Sequence, residues 1–344
     1  MLNRIKHLLP LELQSLLDRL PAPVRDELEE IRIREGRPLE IGYGGCSRFV
    51  DHNGQPMDLP DKEVYKPDSQ LCRQLLEKIT KHSLYAMEEE LRRGYITVDG
   101  GHRIGLSGRT VLDGGMVKGI RDVSGFNLRI AREVVGAANQ ELPQLLDRQR
   151  QSVHSTLILG PPQQGKTTFI RDLARSISYG LWRHSDAVAW RGRKVGIVDE
   201  RSEIAACYRG VPAFDVGPRT DVMDACPKAE GMMMLIRSMS PEVLVIDEIG
   251  RPEDAEAILE ASRAGIRLLA TAHAYDLDDA KGRPIIRELL EAGIFGAIVN
   301  VRRNARAARS VVQLLKHTAG VPSVWHMPSA RGHPAQAAKG GGHG

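Results

Sequence analysis

Apolar residues in the first part of the chain switch between helical spacing and the two-residue spacing of strands. Leucines at helical spacing fill much of the first 20 residues, and prolines at positions 21 and 23 end that run. The further elements that the pattern predicts are strands on both sides of residues 35–38, a helix over 68–93, hairpin turns at 99–101 and 113–115, and a strand over 126–130. We therefore predict an α+β domain with an antiparallel meander over residues 1–135.

The pattern changes after a polar stretch, residues 136–152, which we interpret as a linker. Short apolar runs then alternate with helical segments, and this alternation is typical of a parallel sheet with crossover helices. The predicted strands are residues 153–159, 194–199, 242–247, 267–272, 296–301 and one near 309–315. We predict an α/β domain over 153–318, followed by a flexible tail over 319–344, where Gly, Ala, Pro and His dominate.

Composition narrows the class of protein. A chain of 344 residues with 27% charged and 42% hydrophobic residues is typical of a soluble protein of about two domains. The net charge of +4 gives no argument for nucleic acid. The four cysteines form no C-x-x-C pair, so we expect reduced thiols. No apolar run approaches the roughly 18 residues of a membrane span, so we expect a cytosolic protein, or one attached to a membrane through a partner.

One loop matches the phosphate-binding motif G-x-x-x-x-G-K-[ST]. Its residues are Gly160, Pro161, Pro162, Gln163, Gln164, Gly165, Lys166, Thr167 and Thr168. An apolar strand precedes it and an amphipathic helix follows, which makes a chance glycine-rich turn a poor alternative. Backbone N–H groups of such a loop bind phosphates at the helix N-terminus, Lys166 would reach the β- and γ-phosphates, and Thr167 would ligate Mg²⁺. The expected cofactors are ATP and Mg²⁺.

A second motif, EVLVIDE at residues 242–248, is an apolar strand that ends in two carboxylates. Asp247 would complete the Mg²⁺ site, and Glu248 would polarise the attacking water. The pattern alone is weak, but it lies 81 residues after Lys166 with a predicted βαβ unit between them. Residues 247–250 also fit the D-x-x-G motif of GTPases. However, no [NT]-K-x-D motif for reading guanine follows, so ATP is favoured.

Two further strands end in polar residues, and we add Glu200 and His273 from these strand ends to the candidate catalytic residues. VGIVDERSE at 195–203 would place Asp199 and Glu200 at the carboxyl edge of the sheet, where open α/β folds bind ligands. The alternative is an ordinary charged turn. The strand at 267–272 is expected to lie between the strand before the phosphate loop and the strand at 242–247. It ends at His273, which could donate a hydrogen bond to the γ-phosphate or to Glu248. A structural histidine is the alternative there.

Three arginines follow the second acidic strand in loop-like sequence: Arg201, Arg209 and Arg219. No segment offers an obvious arginine beside Asp247 and Glu248 within one chain. An arginine finger donated by a neighbouring subunit increases the rate of phosphoryl transfer by ~10³–10⁵ in known cases. The three arginines are our candidates for that role, although most surface arginines are simply solvated.

The order of these motifs resembles the Walker A, Asp box, Walker B and His box of type II and type IV secretion ATPases. The matching segments are the phosphate loop, VDERSEI, LVIDEIG and TAHA. Longer phrases are similar to the stage III sporulation AA family of endospore-forming bacteria, over about residues 30–318. They include LYAMEEELRRGYITVDGGHRIGLSGR and GPRTDVMDACPKAEGMMMLIRSMSPEVLVIDEIGRPEDA. Pro162, Gln163 and Gln164 stand where small or hydroxyl residues are commoner, but backbone amides make most of the phosphate contacts.

The resemblance implies an α/β fold: a RecA-type P-loop core with a mainly parallel sheet behind a smaller α+β N-terminal domain. It implies an ATPase of the mother-cell cytoplasm that forms a homo-oligomeric ring, a hexamer. The ring would act with cytosolic parts of membrane proteins of the stage III sporulation complex. A nucleic-acid-handling ATPase stays open as an alternative function. With 4% aromatic residues and no basic stripe, the sequence does not favour nucleic acid as a partner. The presence of Glu248 disfavours a scaffold without turnover.

Overall fold

The computed structural model describes residues 5–80, 94–98, 100–131, 133–304 and 307–315. The described residues form two seven-stranded sheets and one two-stranded ladder. In the first sheet every pairing is antiparallel, in the order β4-β3-β2-β1-β7-β6-β5. Its elements are α1 (Leu11–Asp18), α2 (Ala22–Asp26), β1 (Leu28–Arg34), β2 (Glu40–Tyr43), β3 (Cys46–Val50), β4 (Pro56–Met57), α3 (Ser69–Ile79), β5 (Tyr95–Val98), β6 (His102–Asp113) and β7 (Met116–Arg129).

Apolar faces of α1 and α3 cover this sheet and form one core with it. The leucines of α1 that recur at helical spacing, Leu13, Leu16 and Leu17, are all buried. At the start of α3, Asp68 accepts a hydrogen bond from the backbone N–H of Leu71 at 2.8 Å, as a helix cap does. The predicted helix at 68–93 is described only as far as Thr80, and the remainder lies outside the described residues.

The second sheet is parallel apart from its last strand, in the order β12-β11-β13-β14-β10-β15-β16. Its strands are β10 (Thr156–Leu159), β11 (Val195–Asp199), β12 (Thr220–Asp224), β13 (Val243–Ile246), β14 (Arg267–Ala272), β15 (Ala297–Asn304) and β16 (Ala307–Leu314). Its helices are α4 (Lys166–Tyr179), α5 (Lys228–Ser238), α6 (Pro252–Arg263), α7 (Leu277–Lys281) and α8 (Pro284–Glu291). The predicted α/β class is confirmed, and β14 lies between β13 and β10 as expected.

Helices cover both faces of the second sheet. Phe169, Ile170 and Leu173 of α4 pack into an apolar cluster on one face. Met232 of α5, Ile258 of α6 and their neighbours form a second cluster on the other face. Because the carboxyl ends of β10, β11, β13 and β14 meet at one edge, the loops that follow these four strands lie side by side.

The predicted linker, residues 136–152, packs against the second sheet. Ala138, Leu142 and Leu145 are buried in the same cluster as α4. Asp172 of α4 accepts hydrogen bonds from two backbone N–H groups of the segment, both at 2.9 Å. The segment also contains most of the short antiparallel ladder of β8 (Leu146–Asp147) and β9 (Ser152–Val153). The domain boundaries themselves stay predictions.

The first sheet contacts the loop that follows β11. Arg103 of β6 forms an ion pair with Glu203. Gly101, at a φ of 73°, comes so close to this loop that a Cβ atom there would lie 2.2 Å from the Cβ of Ala206. The turn before β6 and the loop after β11 are thus in direct contact, and only glycine fits at position 101. In the described part of the chain, no helix has the length and apolar character needed to cross a membrane.

Candidate functional site

The phosphate-loop motif forms the turn between β10 and α4. Gly160 passes close to β15, and a Cβ atom on it would lie 2.6 Å from the carbonyl oxygen of Val301. Gly165 precedes α4 at a φ of 92°, a conformation that favours glycine. Because Gly165 has no side chain to cap the helix, the first N–H groups of α4 are available to an anion. The backbone therefore has the shape that the motif predicts.

Lys166 is buried at the start of α4, with 6% of its surface exposed. Its Nζ donates to the carbonyl oxygens of Gly160 and Pro161, both at 2.8 Å, and lies 3.0 Å from Nδ1 of His273. Burial lowers the pKa of Lys166, and the charges of Asp247 and Glu248 oppose that shift. The ammonium group is thus held across the loop by groups that a phosphate could replace.

Thr167, the residue after Lys166, contacts Asp247 at the end of β13. The Thr167 hydroxyl donates to Oδ2 of Asp247 at 2.9 Å, and the buried Thr271 hydroxyl donates to the other carboxylate oxygen. A hydroxyl and a carboxylate oxygen are ligands that Mg²⁺ accepts in proteins. Among the described residues, no group of three or more His, Cys, Asp or Glu side chains could hold a metal ion. A Mg²⁺ ion here would take its other ligands from nucleotide phosphates and water, which suits this donor set.

Glu248 has a strained backbone. Its φ is 56°, in the left-handed region that a non-glycine residue seldom adopts, and its N–H donates to Thr271 Oγ1 at 2.8 Å. The carboxylate lies between two cationic or polar groups: Arg201 Nη1 at 2.7 Å and His273 Nε2 at 3.2 Å. The fold thus directs the second carboxylate of the motif toward the end of β14.

His273 connects Lys166 to Glu248. An ammonium group can only donate, so Nδ1 of the ring accepts from Lys166 and the ring proton is on Nε2, which donates to Glu248. This puts His273 within reach of Glu248, as the sequence predicted. The three side chains form one continuous hydrogen-bonded row across the ends of β10, β14 and β13.

The two acidic residues at the end of β11, Asp199 and Glu200, have different surroundings. Asp199 is 1% exposed and accepts hydrogen bonds from the backbone N–H groups of Glu203, Ile204 and Ala205 at 2.8–3.0 Å. Burial raises the pKa of Asp199 to about 6 although these three bonds oppose the shift. Asp199 therefore shapes the loop after β11. We did not expect this structural role from the sequence.

Glu200 forms ion pairs with Lys228 and, at 3.8 Å, with Arg251. Desolvation raises the pKa of Glu200, but the hydrogen bond and charge of Lys228 outweigh it, so that the pKa lies below its ordinary value. Its partners belong to the starts of α5 and α6 on the face opposite α4. A catalytic role for Glu200 stays a prediction.

The three candidate arginines lie in different places. Arg201 contacts Glu248 of its own chain, which corrects the expectation that no arginine lies beside the motif within one chain. Arg219 directly precedes β12, so it lies at the amino ends of the parallel strands, away from the site at their carboxyl ends. There its guanidinium donates to the carbonyl oxygen of Ser178 at 3.0 Å. Arg209 is exposed, with its guanidinium 5.4 Å from the ring centre of Tyr208. Within one chain, only Arg201 of the three reaches the site.

The first sheet also contributes to the site, which the motifs did not predict. A cavity of about 850 Å³, here called the phosphate-loop cavity, is lined by the loop itself, by Arg103 and Arg129 of the first sheet, and by Gly44 in the turn between β2 and β3. Arg171 of α4 lines it as well and donates to the carbonyl oxygens of Glu203 and Ile204. These arginines occur in no local motif, so only their placement in three dimensions identifies them.

Two solved structures share this fold. The X-ray structure of the Legionella pneumophila ATPase DotB matches with a TM-score of 0.51 and 14% identity, over 89% of this chain and 80% of that one. The crystal structure of the pilus retraction motor PilT with bound ADP matches with a TM-score of 0.52 and 15% identity, over 85% and 80%. At such identity the likeness concerns the fold alone. It confirms the predicted RecA-type core behind a smaller α+β N-terminal domain.

Sequence comparison identifies the family. The family model "Sporulation stage III, protein AA" matches residues 2–316. The stage III sporulation protein AA of Bacillus subtilis (strain 168) is 43% identical over 313 residues, which is 91% of this chain and 94% of that protein. The uncharacterized protein ycf45 of Cyanidium caldarium is 32% identical over 173 residues, about half of each chain. The chain therefore belongs to the family of sporulation stage III, protein AA.

Proposed function

We propose that this chain is a Mg²⁺-dependent ATPase that assembles as a homo-oligomeric ring and drives a secretion-like complex during endospore formation. The observation that carries the proposal is the row of Lys166, His273 and Glu248 beside the Thr167–Asp247 pair. A phosphate-binding amine, a metal-binding pair and a carboxylate within reach of water are the parts that phosphoryl transfer to water requires. Family membership and the fold of DotB and PilT support the same class of activity.

Each residue of the row has a distinct task in the proposed reaction. The first N–H groups of α4 and Lys166 bind the phosphates, while Thr167 and Asp247 hold Mg²⁺, which would neutralise developing charge. Glu248 accepts a proton from the water whose oxygen bonds to the γ-phosphorus, and the bond to the bridging oxygen breaks, so that ADP and orthophosphate form.

His273 would couple nucleotide state to shape. In the structure Lys166 donates to His273 and to two loop carbonyls. When Lys166 turns toward bound phosphates, His273 loses that partner, and its Nε2 proton can stay with Glu248 or move to the γ-phosphate. Loss of the γ-phosphate would then alter contacts at the end of β14 and at the helix that follows, as nucleotide switches do.

The family and the resemblance to secretion ATPases support a proposal for the cellular setting. We propose a ring, hexameric by that resemblance, in the mother-cell cytoplasm. It would bind cytosolic parts of stage III sporulation membrane proteins and act between mother cell and forespore. The test is stimulation of ATP turnover by such a cytosolic part. Stimulation by single-stranded DNA instead would favour a nucleic-acid-handling ATPase.

The decisive experiment on the activity compares wild type with Lys166→Ala and Glu248→Gln. Lys166→Ala is expected to weaken ATP binding, because the phosphates lose a buried cation. Glu248→Gln is expected to retain ATP affinity and lose turnover by about 10²–10⁴-fold, because the amide cannot accept the proton. The measurements are equilibrium binding of ATP and production of orthophosphate. Near-normal turnover in Glu248→Gln would remove that residue from the proposed role.

A further inference from the structure

A second cavity lies beside the first. It has a volume of about 330 Å³, and we call it the basic cavity. Its lining residues include Arg201, Lys228, Glu248, Arg251, His273 and Arg283. Three of them, Arg201, Glu248 and His273, also line the phosphate-loop cavity. The two cavities therefore meet at the side chains that surround the carboxylate of Glu248.

The two cavities lie over opposite faces of the second sheet. The phosphate-loop cavity is on the side of α4, whose first turn it contains. The basic cavity is on the side of α5, α6 and α8: Lys228 begins α5, Arg251 precedes α6, and Pro284 begins α8. Glu248 and His273 stand at the carboxyl edge of the sheet, between the two faces.

The basic cavity suits a small anion. Four of its lining side chains are cationic, and Glu248 is its one anionic lining residue among those described. Outside this lining, Glu200 pairs with both Lys228 and Arg251, so one carboxylate is shared by two cations. Arg283 is half exposed and lies 3.7 Å from the carboxylate of Asp279. The start of α8 adds the partial positive charge of a helix N-terminus, whereas Asp254 already accepts hydrogen bonds from the backbone at the start of α6.

The direction of the proposed reaction links the cavities. The attacking oxygen bonds to the γ-phosphorus on the side opposite the bridging oxygen, which leaves with ADP. ADP then blocks the phosphate-loop side, and the new orthophosphate faces Glu248 and His273. We infer that orthophosphate leaves across the edge of the sheet through the basic cavity, which binds it on the way, with Arg201, Glu248 and His273 as the gate. This inference rests on the proposed ATPase function.

The experiment removes two cations of the basic cavity that do not touch Glu248. Arg251→Gln and Arg283→Gln are combined in one full-length chain. The matched control, Arg263→Gln with Arg287→Gln, removes the same charge from exposed positions on the same two helices outside the cavity. Cleavage is measured by acid quench in a single turnover, and release by a fluorescent reporter of free orthophosphate. Binding of inorganic phosphate to the ADP-bound protein is measured at equilibrium.

The cavity variant is expected to cleave ATP within about twofold of wild type. Its rate constant for orthophosphate release and its affinity for inorganic phosphate should both fall roughly three- to tenfold, because two cations that are half exposed or more are lost. The control should match wild type in all three measurements. Release and phosphate affinity equal to wild type in the cavity variant would overturn the inference.

Two other outcomes are also decisive. If the cavity variant loses self-association while orthophosphate release is unchanged, the cavity receives a neighbouring copy and the inference is wrong. If wild type does not hydrolyse ATP, the proposed function fails, and binding of inorganic phosphate to the ADP-bound chain still decides whether the cavity is an anion site. The failure of the inference and the failure of the ATPase proposal are therefore separate results.

Discussion

At the scale of single residues, the site is organised by hydroxyl groups and one imidazole rather than by charges alone. Thr271 donates to the carboxylate of Asp247 and accepts from the backbone N–H of Glu248, so one buried hydroxyl contacts both acidic residues of the motif. His273 then joins Glu248 to Lys166. Removing His273 leaves the amine, the metal-binding pair and the carboxylate in place but breaks the connection between them.

His273→Ala is therefore expected to bind ATP with near-normal affinity and to lose about 10–100-fold in turnover, since an aimed hydrogen-bond donor is gone. Any change of shape between nucleotide states should be lost as well. The measurement compares small-angle scattering of the ADP state with that of a non-hydrolysable ATP state, for wild type, His273→Ala and His273→Gln. A full change of shape in His273→Ala would make His273 a structural residue.

At the scale of elements, the loop after β11 depends on a buried carboxylate. Asp199 holds three successive N–H groups of residues 203–205, and the loop then supplies Arg201 to Glu248 and Glu203 to Arg103. The pKa of Asp199 is raised by burial to about 6, above the 3.8 of an exposed aspartate. A raised pKa means that the folded state binds this proton more tightly than the unfolded state does.

The contribution of Asp199 to stability should thus be fully present below pH 4 and be lost as the pH rises through about 6. Relative to Asp199→Asn, which does not titrate, wild type should become less stable between pH 4 and pH 6.5 by roughly 2–3 kcal/mol. Urea unfolding of both proteins across this range measures the difference, and Asp278→Asn on the exposed surface is the control. A constant difference between wild type and Asp199→Asn would show that burial does not shift the pKa of Asp199.

The strands of the second sheet were predictable where they are continuous apolar runs. The strand β12 was not predicted, because its sequence, TDVMD, contains no continuous apolar run. Every residue of it is only partly buried, since it is the edge strand of the sheet. The burial of Leu142 and Leu145 was not predicted either, since they lie in a polar stretch of the sequence between the two sheets.

Motif spacing predicted that Lys166, Asp247, Glu248 and His273 would meet. It could not predict that Arg201 contacts Glu248 of its own chain, because the direction of that side chain depends on the turn that Asp199 holds.

At the scale of the whole molecule, the two sheets enclose the phosphate-loop cavity from both sides. Arg103 and Arg129 of the first sheet line it together with the loop itself. A movement of the first sheet relative to the second would change this cavity directly. In the proposed ring, such a movement would carry the energy of hydrolysis to neighbouring subunits and partners.

The proposed ring would also determine how the candidate arginines act, and mixed assemblies distinguish action within one chain from action on a neighbour. Arg201 contacts Glu248 of its own chain, so Arg201→Ala mixed with Glu248→Gln leaves every site lacking one of the two residues. No turnover is expected beyond that of the separate variants. Arg209 is exposed, and if a neighbour donates it, Arg209→Ala mixed with Glu248→Gln combines an intact arginine with an intact Glu248 at some interfaces. Turnover of that mixture should rise above both parents, by up to about 25% of wild type at equal amounts if single sites act independently.

Each mixture is measured for orthophosphate production after co-assembly has been shown by the mass of the particle with ATP and Mg²⁺. Arg219→Ala with Glu248→Gln is the third mixture. Because Arg219 is held by the carbonyl of Ser178 at the amino ends of the parallel strands, its loss tests whether those ends face a neighbour's site. Recovery with Arg201→Ala would contradict the contact within one chain, since it requires that arginine to act on a neighbour. Recovery with neither Arg209→Ala nor Arg219→Ala, in particles that do co-assemble, would remove both from the finger role and leave the arginines of the first sheet to be tested in the same way.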